Sequence, residues 1–299
     1  MESALFHGCA TALVTPFRGG RVDYDALEGL IDWQVASGID ALVVLGTTGE
    51  PSTLSASERA SILECAVARN ARRVPLIAGT GSNDTRTAIR QSQEAQSRGA
   101  DALLVVTPYY NKTSSEGLME HFTTIADSVE LPIILYNVPG RTGLNLPPEC
   151  VAQLARHPNL RAVKEASGSL RQMVDLAAAC GDDIAVYCGN DDQIVPAMSL
   201  GAQGAISVAS NVIPGEMRAF TASWLQGEPK QALAHQMKYL PLIRALFSEV
   251  NPIPVKAALY LLGRVEDELR LPLVPLGAEH RAELTREMAR LGLTAERRP

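Results

Sequence analysis

Eight short apolar runs recur through the first two-thirds of the chain, at 9–17, 41–46, 75–79, 102–108, 132–139, 160–167, 184–189 and 204–210. They are rich in Val, Ile, Leu and Ala, and most close on Gly, Ser or Pro. Their starts lie roughly 20 to 35 residues apart, the length of one strand plus one crossover helix. Between them lie stretches with apolar residues at helical spacing, at 25–37, 57–69, 85–98, 115–128, 147–156, 169–180 and 191–200. Strands that read as continuous apolar runs rather than alternating ones are buried on both faces, as in a parallel sheet covered by helices.

Eight strand–helix repeats in so short a span fit a closed (β/α)8 TIM barrel better than an open doubly wound sheet. The turn after the first run, Thr-Pro-Phe-Arg-Gly-Gly-Arg, carries no dinucleotide-binding glycine fingerprint. After Ser210 the pattern changes to helices alone, at 220–226, 230–250, 254–262 and 279–291. The sequence thus predicts an α/β fold with a catalytic barrel over 1–220 and a C-terminal helical extension over 221–299.

Composition narrows the function without deciding it. The 299 residues are 46% hydrophobic and 20% charged, with a formal charge of −6. The 27 basic residues are spread along the chain, so no basic patch marks a nucleic-acid surface. No apolar run has the roughly 20 residues a membrane helix needs, and the start lacks a cationic signal-peptide flank, which together predict a cytoplasmic protein. The five cysteines, Cys9, Cys65, Cys150, Cys180 and Cys188, show neither disulfide nor zinc spacing and read as core residues. The scattered histidines do not form a metal motif, and the glycines at 79–82 lack a phosphate-loop lysine.

In such barrels chemistry sits at the C-terminal ends of the strands. Lys164 stands out because it lies inside an apolar strand, whereas Lys112, Lys230, Lys238 and Lys256 lie in loops or helices. Strand alternation puts Ala162, Lys164 and Ala166 on one face, and the small neighbours leave room around the amine. Burial favours the neutral amine, the form that attacks a carbonyl to give a Schiff base; the alternative is a lysine paired with a carboxylate. Tyr136 points to the same face from the preceding strand, either as a proton donor and acceptor or as a core tyrosine capped by a carbonyl. Thr47-Thr48 between glycines resembles a carboxylate cradle, or is a plain glycine turn. Arg141, after a Pro-Gly turn, is placed to grip an anionic substrate or is simply solvated.

Four motifs together, G-T-T-G-E at 46–50, V-T-P-Y-Y-N-K at 106–112, L-Y-N-V-P-G-R-T-G at 135–143 and V-K-E-A-S at 163–167, resemble those of the dihydrodipicolinate synthase family. That family belongs to the pyruvate-dependent class I aldolases, which also include N-acetylneuraminate lyase. The resemblance runs from about Leu5 to the end and implies a barrel with a helical extension, in agreement with the periodicity. It implies 4-hydroxy-tetrahydrodipicolinate synthase activity, the condensation of pyruvate with L-aspartate 4-semialdehyde in lysine and diaminopimelate biosynthesis, with no metal or organic cofactor.

Carried over by residue, the resemblance implies that Lys164 forms the imine and that Tyr136, Thr47 and Tyr110 relay protons, Tyr110 being lent across a dimer interface. Thr48 would bind the pyruvate carboxylate, Gly189 and Ile206 would line the pocket, and Arg141 would hold the carboxylate of the semialdehyde. A homotetramer, built as a dimer of dimers, is implied. A regulatory pocket would use Asn83, Tyr109, Arg59 and Thr87. The last two replace the histidine and the acidic residue of lysine-sensitive relatives, so weak or absent inhibition by L-lysine is expected. Another pyruvate-dependent aldolase, acting on N-acetylneuraminate or a 2-keto-3-deoxy sugar acid, is the alternative, and Arg141 favours the semialdehyde.

Overall fold

The computed structural model describes residues 4–293. Eight strands carry the barrel: β1 Gly8–Ala12, β2 Ala41–Val44, β3 Leu76–Gly79, β4 Ala102–Val106, β5 Ile133–Asn137, β6 Leu160–Glu165, β7 Ala185–Cys188 and β8 Gly204–Ser207. Every neighbouring pair is parallel, and β1 pairs with both β2 and β8, which closes the ring. Seven fall wholly within the apolar runs of the sequence, and β1 starts one residue ahead of its run, at Gly8. The first run is shorter than its apolar stretch suggests. The strand stops at Ala12, and a two-residue antiparallel ribbon, Phe17–Arg18 with Arg21–Val22, turns at Gly19 and Gly20, both at positive φ.

The helices around the barrel are α1 Tyr24–Ala36, α2 Ala56–Asn70, α3 Thr85–Ser97, α4 Ser115–Asp127, α5 Pro148–Leu154, α6 Leu170–Cys180, α7 Ile194–Ser199 and α8 Pro214–Leu225. Their starts are locally encoded. Asp23, Asp84, Ser114 and Ser169 each accept a backbone N–H at the helix N-terminus, and Ser55 with Glu58 forms a reciprocal capping box. Helix α8 opens with proline at its first turn, so it begins six residues before the 220 expected from apolar spacing. It therefore runs through the 220/221 division drawn from the sequence.

The extension consists of α9 Pro229–Ala245, α10 Ile253–Leu261 and α11 Ala278–Arg290. Helix α9 ends at Ala245 rather than continuing to Val250. The apolar residues that prolonged the pattern, Phe247 and Val250, leave the helix to line cavities at the barrel mouth.

Two apolar clusters divide the interior. The larger joins the outer faces of the strands to the helices and runs on into the extension through Leu242, Ile243, Val255 and Leu284. The smaller fills the barrel and includes Ala10, Val43, Ile77, Leu104, Ile134, Tyr136, Ala162, Tyr187 and Ile206. The extension thus shares one core with the barrel's helical layer. Among the described residues no helix is long and apolar enough to cross a membrane.

Candidate active site

Strand alternation along β6 sends Ala162 and Lys164 into the barrel and Val163 and Glu165 outward. Lys164 is 5% exposed and pairs in register with Tyr136 on β5, its Nζ lying 4.5 Å from the centre of the tyrosine ring. Among the described residues no carboxylate reaches ion-pair distance of this amine. That separates it from Lys256, which is also buried but bonds Glu50 Oε1 at 2.7 Å. Burial alone therefore does not separate the two lysines; the counter-carboxylate does. Glu165, its neighbour, is spent structurally, accepting from Asn137 Nδ2 and from the Ser167 N–H.

Lys164 lines a cavity of about 410 Å³ together with Thr48, Tyr136, Arg141, Gly189, Asp191, Phe247 and Asn251. Gly189 is required there: a Cβ would lie 2.6 Å from Ala166 Cβ and 2.9 Å from Lys164 Cε. An adjoining cavity of about 550 Å³ shares Tyr136, Val138, Arg141 and Asn251 with the first and adds Thr47, Arg59, Gln91 and Tyr109. Ile206 is fully buried inside the barrel and lines neither cavity.

The Thr47-Thr48 pair stands on a single 3-10 turn after β2. Gly79 makes room beside it, since a Cβ there would sit 2.1 Å from the Leu45 carbonyl oxygen. Glu50, at φ +53°, links that turn to the next, and its carboxylate receives Lys256 Nζ and the Arg270 N–H. Thr48 is buried, and its hydroxyl accepts from Asn251 Nδ2 at 2.9 Å. Arg141 is exposed on a helical turn, Pro139–Thr142, and donates from Nη2 to the Asn251 carbonyl at 3.0 Å. Thr142 anchors that turn, accepting from the Thr107 hydroxyl and donating to the Leu144 carbonyl.

Tyr110 stands apart, 93% exposed, at φ +71°, and lining neither cavity. Of the four positions expected to regulate, Arg59 and Tyr109 meet in the larger cavity. Asn83 and Thr87 do not line it: the Asn83 carbonyl receives Asn111 Nδ2, and the Thr87 hydroxyl bonds Asp84.

Two cavity residues carry no signal in the sequence. Asp191, 2% exposed, accepts the Val208 and Ala209 N–H groups at 3.0 and 2.7 Å. Burial pushes its carboxyl up, against the pull of those bonds, the Ser207 hydroxyl and the Lys164 charge. Asn251 sits in an Asn-Pro-Ile-Pro turn that reads only as the break between two helices. The cysteines are free; burial pushes Cys180 up to about 11 and Cys188 up to about 12, so both stay protonated at neutral pH.

The sequence model of the Dihydrodipicolinate synthetase family matches residues 5–291. The chain belongs to this family. It is 49% identical to the 4-hydroxy-tetrahydrodipicolinate synthase of Alkaliphilus oremlandii, over 95% of this chain and 98% of that one. The same identity links it to the synthase of Geobacter metallireducens, over 94% of this chain and 97% of that one. The fold also overlays that of a dihydrodipicolinate synthase from Acinetobacter baumannii, solved in complex with pyruvate, with a TM-score of 0.94 and 42% identity, covering 96% of this chain and 99% of the other. The family's barrel and helical extension are those described above.

Proposed function

We propose that this chain is a 4-hydroxy-tetrahydrodipicolinate synthase that condenses pyruvate, held as an imine on Lys164, with L-aspartate 4-semialdehyde. The observation that carries the reading is Lys164 itself, a buried amine with an aromatic ring and, among the described residues, no carboxylate as its partner, lining a cavity at the mouth of a barrel.

The chemistry follows from the groups present. The Lys164 amine adds to the pyruvate ketone, and loss of water from the carbinolamine gives the imine. Tyr136, facing the amine, supplies and recovers the protons these steps need. The imine withdraws electrons from the methyl group, which loses a proton to give an enamine. The enamine carbon then attacks the aldehyde. The substrate's own amine displaces Lys164 as the ring closes.

Thr48 and its turn hold the pyruvate carboxylate, Gly189 leaves space for the adduct, and Arg141 holds the carboxylate of the semialdehyde. The relay runs through Tyr136 and Thr47, which share the larger cavity. Its third member, Tyr110, projects into solvent on a tight turn and lines neither of these two cavities. That projection supports a shared site in which a second copy supplies Tyr110, and with it a dimer within a homotetramer. No metal or organic cofactor enters any step.

The test is condensation of pyruvate with L-aspartate 4-semialdehyde, followed through a coupled reductase, beside parallel runs with N-acetylmannosamine and glyceraldehyde. Turnover with the semialdehyde alone is expected. Turnover with the sugar aldehydes alone would keep the imine chemistry and move the protein to the sugar-acid aldolases.

A further inference from the structure

Asn251 is where the extension enters the active site. The residue is 6% exposed and lines both cavities. Its side-chain Nδ2 donates to Thr48, its main-chain carbonyl receives Arg141, and its Oδ1 is buried with no hydrogen-bond partner among the described residues. Buried amide oxygens in native proteins nearly always have a donor. Asn251 itself lines both cavities, so this buried oxygen is an acceptor still without a donor at the edge of the space where a substrate binds.

L-Aspartate 4-semialdehyde offers the matching donor. Its α-ammonium is attached to the same carbon as its α-carboxylate, so an acceptor for the one must stand beside the cation that takes the other. Asn251 meets that condition, being hydrogen-bonded to Arg141. Asp191 also has an unpartnered buried oxygen on the Lys164 cavity, but its other oxygen is fixed on the turn after β8 and it makes no bond to Arg141. The neutral amide suits the later chemistry as well. The ammonium must lose a proton before it attacks the imine, and a carboxylate partner would hold that proton more tightly than an amide does.

We propose that Asn251 determines specificity for the second substrate: its Oδ1 accepts from the α-ammonium of the amino aldehyde while Arg141, held by the same residue's main chain, takes the adjacent carboxylate. This rests on the reading that the aldehyde is L-aspartate 4-semialdehyde.

The test compares the full-length wild type with Asn251→Ala and Asn251→Asp. The readouts are KM for L-aspartate 4-semialdehyde, inhibition by succinic semialdehyde, which lacks the ammonium, and borohydride trapping of pyruvate. Asn251→Ala should raise KM for the amino aldehyde about 10- to 100-fold, the loss expected for a hydrogen bond to a charged group. Pyruvate should still be trapped, and inhibition by succinic semialdehyde should stay within about two-fold. Asn251→Asp should keep KM near wild type and move the acidic limb of the kcat profile to higher pH. An unchanged KM in Asn251→Ala, or equal losses for both aldehydes, overturns the proposal. If Asn251→Ala does not fold, Asn251→Asp decides, and an unshifted kcat profile overturns it. A wild type inactive with the amino aldehyde overturns the functional reading and this proposal together, whereas an active wild type with indifferent variants overturns this proposal alone.

Discussion

Lys164 and Tyr136 occupy register-matched positions on neighbouring strands, and the lysine Nζ lies 4.5 Å from the centre of the tyrosine ring. In the proposed mechanism this pairing puts the nucleophile beside the group that moves its protons. Replacing Tyr136 by Phe keeps the ring and removes the hydroxyl. That change should lower kcat about 10²- to 10⁴-fold, the usual worth of a positioned acid–base group, while pyruvate remains trappable on Lys164. Steady-state kinetics with borohydride trapping checks both halves.

Tyr110 should matter only between copies. Its side chain is 93% exposed in the single chain, so Tyr110→Phe should leave thermal stability within about 0.5 kcal/mol while lowering kcat. Mixing the impaired Tyr110→Phe with inactive Lys164→Ala should raise activity above that of either alone if each copy lends its tyrosine to its neighbour. Absence of any recovery in mixed oligomers would remove the shared-site account.

The ion pair between Lys256 and Glu50 holds the turn that carries Thr47 and Thr48. Both side chains are buried, 0% and 1% exposed, and Lys256 Nζ also lies 4.2 Å from the centre of the Phe17 ring. Burial pushes the Lys256 ammonium pKa down, and the Glu50 charge opposes that shift. Lys256→Met strands a buried carboxylate and should cost about 3–5 kcal/mol in denaturant unfolding. Adding Glu50→Gln should recover part of the loss, and a strictly additive pair would show that the two do not interact.

His121 gives the stability a pH dependence. The residue is 6% exposed, its Nδ1 meets the Thr85 hydroxyl at 2.9 Å, and its Nε2 is buried without a partner among the described residues. Burial pushes its pKa from 6.5 down to about 4. Between those values the native state binds fewer protons than the unfolded chain. Its contribution is therefore complete above pH 6.5 and falls as the pH drops toward 4, by up to about 3 kcal/mol. Unfolding free energies measured across that window should flatten in His121→Gln, and an identical slope would exclude this source.

Inhibition by L-lysine should be weak. Asp84 already engages the Thr87 hydroxyl, while Arg59 brings a cation to the cavity wall beside Tyr109 and donates to the Gly79 carbonyl and Gln91. An arriving ammonium meets a like charge there. Half-inhibition should need more than about 1 mM, weaker than a specific small-molecule site usually shows, and initial-rate titration measures it directly.

What the sequence made legible was what short-range pattern encodes. Alternation put Ala162, Lys164 and Ala166 on one face and Val163 and Glu165 on the other, and the spacing of the eight apolar runs predicted the barrel. The parts it concealed depend on contacts between distant residues. Lys256 reads as an ordinary helix lysine until Glu50, 206 residues away in sequence, is folded against it. Asn251 looks like a break between helices until Thr48, 203 residues away, takes its amide. Phe247 and Val250 continue the apolar period of α9, and only the fold shows that they leave the helix to wall the site.

Borohydride reduction of the protein with pyruvate, followed by peptide mass mapping, addresses the central claim most directly. The account predicts one reduced pyruvyl adduct, on Lys164, and none in Lys164→Ala. An adduct on another lysine, or turnover without any adduct, would contradict it.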